Sequence, residues 1–383
     1  MIPDTQLAHL ATAAADRLLS NPWKVWFWGD SVGFEGLLDA SELTGQDKYF
    51  AFVYGMFKGW LAREQFRSQF DYTAPGVALL RVYEKAGDPA LMAAALRHAD
   101  YMASFRQTDS GAYVRYENAA IELPPELPPD HPDSEAADEM AQWASDGGPC
   151  VFVDSMHFDG PFFAKMHQLT GEERYRQLAL QNIHSQLELL FDPVNHLLHH
   201  FWMERTKGRN GVLWGRGNCW GLLGLVETME YLPADDSGSR PLLEVLRRIV
   251  SKMAGLQTDE GGWHTVLTDS ESYVETSIAA FMVHILSRAI EHRWIEAELY
   301  CPLVESAMAF VLEHTGPDGL LDGVSYETFP STRAEHYRRM PRGAMVPWGQ
   351  GPLLSALWAY SRLQRSREVS DAVTRGDGFD PNR

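Results

Sequence analysis

Apolar residues recur at steps of three and four over most of this chain. The period is clearest in Leu79-Leu-Arg-Val-Tyr-Glu-Lys-Ala-Gly87, Ala90 to Ala103, Tyr175 to Leu187 and Leu242 to Ala254, and each stretch predicts an amphipathic helix with one buried face. Strand-like alternation is scarce. Gly111-Ala-Tyr-Val-Arg-Tyr, Leu197-Leu-His-His-Phe-Trp and Gly262-Trp-His-Thr-Val-Leu predict only short ribbons beside loops. Leu43-Thr-Gly-Gln-Asp-Lys-Tyr49, Lys85-Ala-Gly-Asp-Pro-Ala-Leu91 and Leu169-Thr-Gly-Glu-Glu-Arg-Tyr175 repeat one device: a helix-ending glycine, an acidic first turn, then a new helix. The chain therefore reads as a string of helical hairpins, which must stack on their neighbours to bury their apolar faces. Room for about twelve helices of ordinary length fits six hairpins closed into a ring better than an open array. The expected fold class is all-α, an (α/α)6 barrel, in a single domain spanning residues 1–383.

Two stretches depart from the pattern. Residues 117–148 contain Leu-Pro-Pro-Glu-Leu-Pro-Pro-Asp-His-Pro-Asp, many acids and few apolar side chains, and predict a long surface insertion with at most one short helix near 134–143. A flexible tail is expected from about residue 366.

Composition narrows what such a ring can do. With 45% hydrophobic residues, including 12 Trp, 14 Tyr and 18 Phe, the chain can build a large core with aromatic side chains to spare for a cleft, as in the loop from Trp23 to Trp28. Its 33 basic against 52 acidic residues give a net charge of -19, which argues against nucleic acid or an anionic membrane as partner. No apolar run is long enough to cross a bilayer, and the first residues lack the basic and apolar regions of a signal peptide. The three cysteines, Cys150, Cys219 and Cys301, are far apart, so neither a disulfide framework nor a zinc cluster is implied. A cytoplasmic protein needing no metal or other cofactor is expected, and nothing indicates its oligomeric state. An acidic ligand would have to be held by a few local arginines or histidines.

Chemistry concentrates in two places. In Val151-Phe-Val-Asp154-Ser-Met-His157-Phe-Asp-Gly-Pro161-Phe-Phe a carboxylate stands among side chains that want a dry environment, which costs several kcal/mol unless the acid is paired or stays protonated. Asp154 is thus either a buried anchor or a catalytic acid. The second place is His199-His200-Phe-Trp202-Met-Glu204 followed by Trp214-Gly-Arg216-Gly-Asn218-Cys-Trp220. There a guanidinium and an amide sit near the start of an apolar helix, where an anion is favoured. Adjacent histidines in extended chain point opposite ways, so at most one of His199 and His200 faces a site.

These segments, with Phe70-Asp71-Tyr72-Thr-Ala-Pro75-Gly76, Ser272-Tyr-Val-Glu275-Thr-Ser277 and Trp348-Gly-Gln-Gly-Pro-Leu-Leu354, occur in the order seen in unsaturated uronyl hydrolases. The chain resembles glycoside hydrolase family 105, the unsaturated rhamnogalacturonyl hydrolases, with family 88, the unsaturated glucuronyl hydrolases, as a near relative. The resemblance implies an (α/α)6 barrel that removes a 4,5-unsaturated uronic acid from the non-reducing end of lyase-generated oligosaccharides, by protonation at C4 and hydration at C5. By position, Asp154 matches the general acid/base and Asp71 the assisting carboxylate. His200, Trp214, Arg216, Asn218 and Trp220 match substrate contacts, and Trp28 and Tyr72 are expected to complete the sugar site. Departures from the family pattern at Phe152, at Tyr113 or Arg115, and at Cys219 bear on the substrate, for which unsaturated galacturonyl-rhamnose is expected first and an unsaturated glucuronide second. A sugar 2-epimerase of the N-acylglucosamine type, which shares the ring and uses paired histidines, is the rival class.

Overall fold

Two kinds of helix alternate along the chain, and burial tells them apart. The computed structural model describes residues 2–63, 75–115, 149–328 and 330–375. Helices α1 (Asp4–Leu18), α3 (Asp47–Leu61), α5 (Pro89–Ala103), α8 (Glu173–Leu190), α10 (Ser239–Ala254) and α12 (Ala297–Glu313) are buried along one side only. In α10, for example, Leu242, Leu246, Ile249, Val250 and Met253 turn inward. Helices α2 (Trp28–Thr44), α4 (Gly76–Ala86), α7 (Gly160–Thr170), α9 (Gly215–Tyr231), α11 (Thr276–Glu291) and α14 (Pro347–Arg375) form the other set. In α9 every residue from Gly215 to Met229 is buried, and in α11 every residue from Thr276 to Ile290. An apolar stripe marks an outer helix and all-round burial an inner one.

The inner helices follow a cyclic packing order: α2 on α4, α4 on α7, α7 on α9, α9 on α11, α11 on α14, and α14 back on α2. Each outer helix packs on the inner helix beside it in sequence. The predicted hairpin turns are present, with Gly45, Gly87 and Gly171 ending α2, α4 and α7 in the left-handed region at φ 67°, 66° and 72°, where a side chain would be strained. Two short helices, α6 (Ser155–Phe158) and α13 (Ala334–Arg338), lie in connections. No helix among the described residues is long and apolar enough to cross a membrane.

The tail expected from about residue 366 falls on α14, which continues to Arg375. Its charged side chains find carboxylates on three neighbouring helices: Arg362 pairs with Glu291, Arg365 with Asp4 and Arg367 with Glu305. Ile2 N–H and C=O also bond the Gln364 side chain, at 2.9 and 3.0 Å. The insertion at 117–148 lies outside the described residues.

Strands are few and short. β1 (Cys150–Phe152), β4 (Phe201–Met203) and β5 (Gly208–Arg209) form one antiparallel ribbon, and β2 (Phe191–Asp192) pairs with β3 (Leu197–Leu198). The segments around Tyr113 and His264 make only isolated bridges.

Polar side chains on the buried faces of the inner helices pair with one another. Asp39 of α2 takes Arg81 of α4 at 2.7 Å and Ser355 of α14 at 2.6 Å. His157 of α6 stands between Glu35 of α2 (3.4 Å) and Glu227 of α9 (2.9 Å), and Glu227 also meets Arg288 of α11 at 3.3 Å. Burial alone would lower the His157 pKa, but the two carboxylates override it and push the ring up to about 10.

The packing of α2 against α14 depends on bare backbone. A Cβ on Gly351 would sit 2.1 Å from Val32 O, and one on Gly36 would sit 2.5 Å from Gly351 O. Gly351→Ala should therefore lose about 1–3 kcal/mol or more in urea unfolding. Gly55→Ala, on an exposed turn of α3 with nothing within 4 Å, should gain up to about 1 kcal/mol. A Gly351→Ala protein as stable as wild type would show that the two helices are not in backbone contact.

Candidate active site

The β1–β4 ladder fixes the centre of the site. Phe152 pairs with Phe201, and Val153 N–H donates to His200 O at 2.9 Å, so the chain arrives at Asp154 alongside His200. Asp154 then caps the start of α6 without spending its carboxylate on the helix N–H groups. Its Oδ2 lies 3.7 Å from His200 Nε2. Burial raises the Asp154 carboxyl from 3.8 to about 6, against the opposing pull of its own backbone N–H, Arg216 and His157. Burial, and then the charge of Arg216, push His200 down to about 3. Between about pH 3 and pH 6 neither member of the pair carries a charge, so in that range this contact is a protonated carboxyl beside a neutral imidazole and not an ion pair.

Around this pair stand residues from helix starts. Trp214 caps α9 and lays its ring 4.5 Å from that of His200. The Arg216 guanidinium is 4.9 Å from the Trp214 ring and fully buried. Its Nη1 donates to Glu275 Oε1 (3.2 Å) and Ser325 Oγ (2.7 Å), and its Nη2 to Tyr326 O and Thr328 Oγ1 (both 3.0 Å). Glu275 in turn caps α11 and accepts from Ile278 N, Ser277 Oγ and Ser325 N. Arg216 thus clamps residues 325–328 across the starts of α9 and α11. Both of its Nη atoms are engaged in this way, and its charge acts on Asp154 and His200 from where it stands.

The starts of the inner helices gather at this one end. Trp28 opens α2 and packs on Trp348 of α14 at 4.6 Å, Trp348 Nε1 donates to Ser325 O, and Gly76 of α4 abuts Phe162 in the first turn of α7. Helix N-termini carry partial positive charge, so this end favours an anion within a protein of net charge -19.

The structure brings together Asp154, His200, Trp214 and Arg216, with half-buried Trp28 on the same end. Asn218 and Trp220 stand behind that surface, both fully buried. Asn218 ties β3 to the first turn of α9 through Leu198 N, Leu198 O and Trp214 O. Trp220 packs on His157, Phe158, Phe281 and Trp28. Asp71 and Tyr72 lie outside the described residues. His199 turns away toward Asp192 (3.6 Å) while His200 faces the site, as alternation requires. Arg115, one of the positions that departs from the family pattern, is fully buried on Asp159 at 2.7 Å.

Sequence reading missed two neighbours of the site. Glu327 keeps contact with solvent but stands in a crowded recess beside Trp28 and Lys24, and loss of hydration there raises its carboxyl. Tyr337 of α13 reaches His200 across 137 positions of sequence, and no local pattern could have signalled it. A third cluster, Glu35, His157 and Glu227, brings ligand atoms within 4.8 Å of one another. His157 offers a different ring nitrogen to each carboxylate, and with its pKa pushed up to about 10 it stands between them as a bridging imidazolium.

Comparison with known proteins agrees with the sequence resemblance. The sequence pattern of Glycosyl Hydrolase Family 88 matches residues 4–364. The chain is 25% identical over 355 residues to the unsaturated rhamnogalacturonyl hydrolase YesR of Bacillus subtilis (strain 168), covering 90% of this chain and 93% of that one. Among solved structures it superposes on a possible member of the GH105 family from Salmonella enterica serovar Paratyphi A with a TM-score of 0.81, at 21% identity and covering 96% of both chains. It also matches the unsaturated glucuronyl hydrolase of Bacillus sp. GL1, with a TM-score of 0.67, 17% identity, and coverage of 95% of this chain and 96% of that one.

The raised Asp154 carboxyl makes a stability prediction. Its folded-state pKa lies above the unfolded value, so its favourable contribution is complete below the unfolded pKa and is lost as pH rises through about 6. Asp154→Asn, which stays neutral, should be more stable than wild type by about 1–3 kcal/mol at pH 8 and by little at pH 4. Urea unfolding of both proteins across that range reads the difference; a gap that does not grow with pH would mean the carboxyl is not raised.

Proposed function

This chain belongs to Glycosyl Hydrolase Family 88, and on that premise we propose that it removes a 4,5-unsaturated uronic acid from the non-reducing end of oligosaccharides produced by polysaccharide lyases. The observation that carries the reading is a buried carboxyl group raised to about 6, beside a neutral histidine, at the end where the inner helices begin. Asp154 gives its proton to C4 of the enol ether, and water adds at C5, losing a proton to a carboxylate: Asp154 itself, or Asp71 in the role that the family resemblance implies. The C5 hemiketal opens to a ketone, and the C1 hemiacetal so formed releases the rest of the sugar. His200 and Trp214 hold the ring, and the helix starts with Arg216 supply the field that attracts the uronate carboxylate. We take the cyclic order of inner and outer helices to be the closed (α/α)6 barrel, with residues 1–383 as one catalytic domain.

The substrate proposed first is unsaturated galacturonyl-rhamnose, in line with the similarity to YesR, and an unsaturated glucuronide stands second. The segment 117–148 is proposed to edge the cleft, because the residues at its two ends meet: Arg115 and Cys150 pair across an antiparallel bridge beside Asp154's strand. An epimerase would need two histidines facing the sugar, and His199 faces Asp192.

Incubation with pectic and glucuronate-containing lyase digests should abolish the ultraviolet absorbance of the conjugated double bond, fastest for the galacturonyl-rhamnose product. Asp154→Asn should lower kcat by about a thousandfold or more with the fold preserved by circular dichroism. Turnover within about tenfold of wild type in that variant would remove Asp154 from the chemistry.

A further inference from the structure

We propose that Glu327 is a specificity-determining residue for the leaving sugar: with Trp28 it forms a subsite that takes a neutral sugar through its hydroxyls and turns away one carrying a sulfate or carboxylate. The inference rests on the reading of Asp154 as the acid, and it deepens that reading by naming the charge class of the sugar next to the unsaturated uronate.

The placement of Glu327 follows from its neighbours in the chain. Arg216 Nη2 donates to Tyr326 O and to Thr328 Oγ1, both at 3.0 Å, and Arg216 Nη1 donates to Ser325 Oγ at 2.7 Å. Ser325 N–H donates to Glu275 Oε1 at 2.9 Å, Trp348 Nε1 donates to Ser325 O at 3.0 Å, and Tyr326 N–H donates to Pro341 O at 2.9 Å. Bonds on both sides of Glu327 thus hold it at one point, so little ordering is left for a ligand to impose. Through the same partners that point adjoins the site. Arg216 lies on Trp214, which packs on His200 beside Asp154, and Trp348 packs on Trp28. The Trp28 side chain in turn donates to the Glu327 carboxylate.

Chemistry assigns the part of the substrate that Glu327 meets. In the 4,5-unsaturated ring the carboxylate branches from C5, next to the C4 that Asp154 protonates, and C1, from which the leaving sugar departs, lies across the ring from C4. A carboxylate beside the uronate's own would set like charges together, so Glu327 belongs with the leaving sugar. It is exposed, yet its surroundings strip water from it and raise its carboxyl against the pull of Lys24 and Trp28, as a concave wall would. Such a carboxylate regains hydrogen bonds from ligand hydroxyls and offers only acceptors, so a sulfate or a second carboxylate finds repulsion there and no donor. Half-buried Trp28 supplies an apolar face beside it. Lys24 is the opposing charge. Its Nζ lies over the Phe27 ring, 3.8 Å from the centre, and the carboxylate, not the ammonium, is the group bonded to Trp28.

Two saturated, unreactive glucuronyl disaccharides that differ only in a sulfate on the second sugar probe the subsite by calorimetry. Wild type should bind the unsulfated form about tenfold more tightly, with the gap shrinking at high salt. Glu327→Gln, which keeps an acceptor and loses the charge, should close the gap to within about twofold, chiefly through tighter binding of the sulfated form. Glu327→Lys should reverse the preference, and Lys24→Gln should widen it. On matched unsaturated disaccharides the kcat/KM ratios should fall in the same order. Binding without hydrolysis would sink the activity proposed above and leave the subsite standing. Equal binding of both forms by wild type, no binding of either, or a gap unchanged in Glu327→Gln and Glu327→Lys would each overturn the proposal.

Discussion

The architecture depends on charge that has nowhere to go. The buried faces of the inner helices carry Glu35, Asp39, Lys165, Glu227 and Arg288, and the short α6 adds His157. Each of these pairs with a neighbour around the ring: Asp39 with Arg81, Glu35 and Glu227 with His157, Glu227 with Arg288, and Lys165 with Glu84 at 2.7 Å. Such pairs add little net stability over apolar packing, but removing one partner leaves a buried charge at a cost of about 3–5 kcal/mol. The penalty acts on register. A helix slipped by one turn would strand its charge among leucines, so the network selects the one alignment in which all helix starts reach the same end.

That alignment sets the chemistry through His157. The residue sits in the short helix that Asp154 begins, its backbone N–H donates to Asp154 O at 3.1 Å, and its ring is clamped on two sides by carboxylates. The acid is therefore fastened to the interior of the ring and not carried on a mobile loop. Its protonation reflects a balance in which desolvation outweighs the nearby cations Arg216 and His157. The protein's global charge is strongly negative, and the site escapes it because helix starts and one arginine act within a few ångströms, inside the screening length that weakens distant charges.

Local physics was legible in the sequence and long-range partnership was not. The helices, and the turns at Gly45, Gly87 and Gly171, follow from periodicity and from a conformation that only glycine adopts cheaply. Asp154 could be singled out because an acid among phenylalanines demands an explanation from sequence alone. Asn218 carries the same signature whether it meets a sugar or a backbone carbonyl; polarity says that a partner is needed and not which one. Arg216 was read as an anion ligand for that reason, and its occupants at residues 325–328 lie 109 or more positions away. The arginines of α14 likewise find their carboxylates on other helices, at Glu291, Asp4 and Glu305, and periodicity along one helix does not show such partners.

The meeting of α2 with α14 has a consequence for how the protein comes into being. The backbones of these helices touch at Gly36 and Gly351, and Trp28 of one packs on Trp348 of the other, so part of the cleft wall is missing until both are in place. During synthesis the five earlier inner helices must wait, with apolar faces open, for a last one translated more than 300 residues after the first. Contacts of such sequence separation slow folding and lengthen exposure to aggregation. The candidate site is thus incomplete in the nascent chain until the final helix docks.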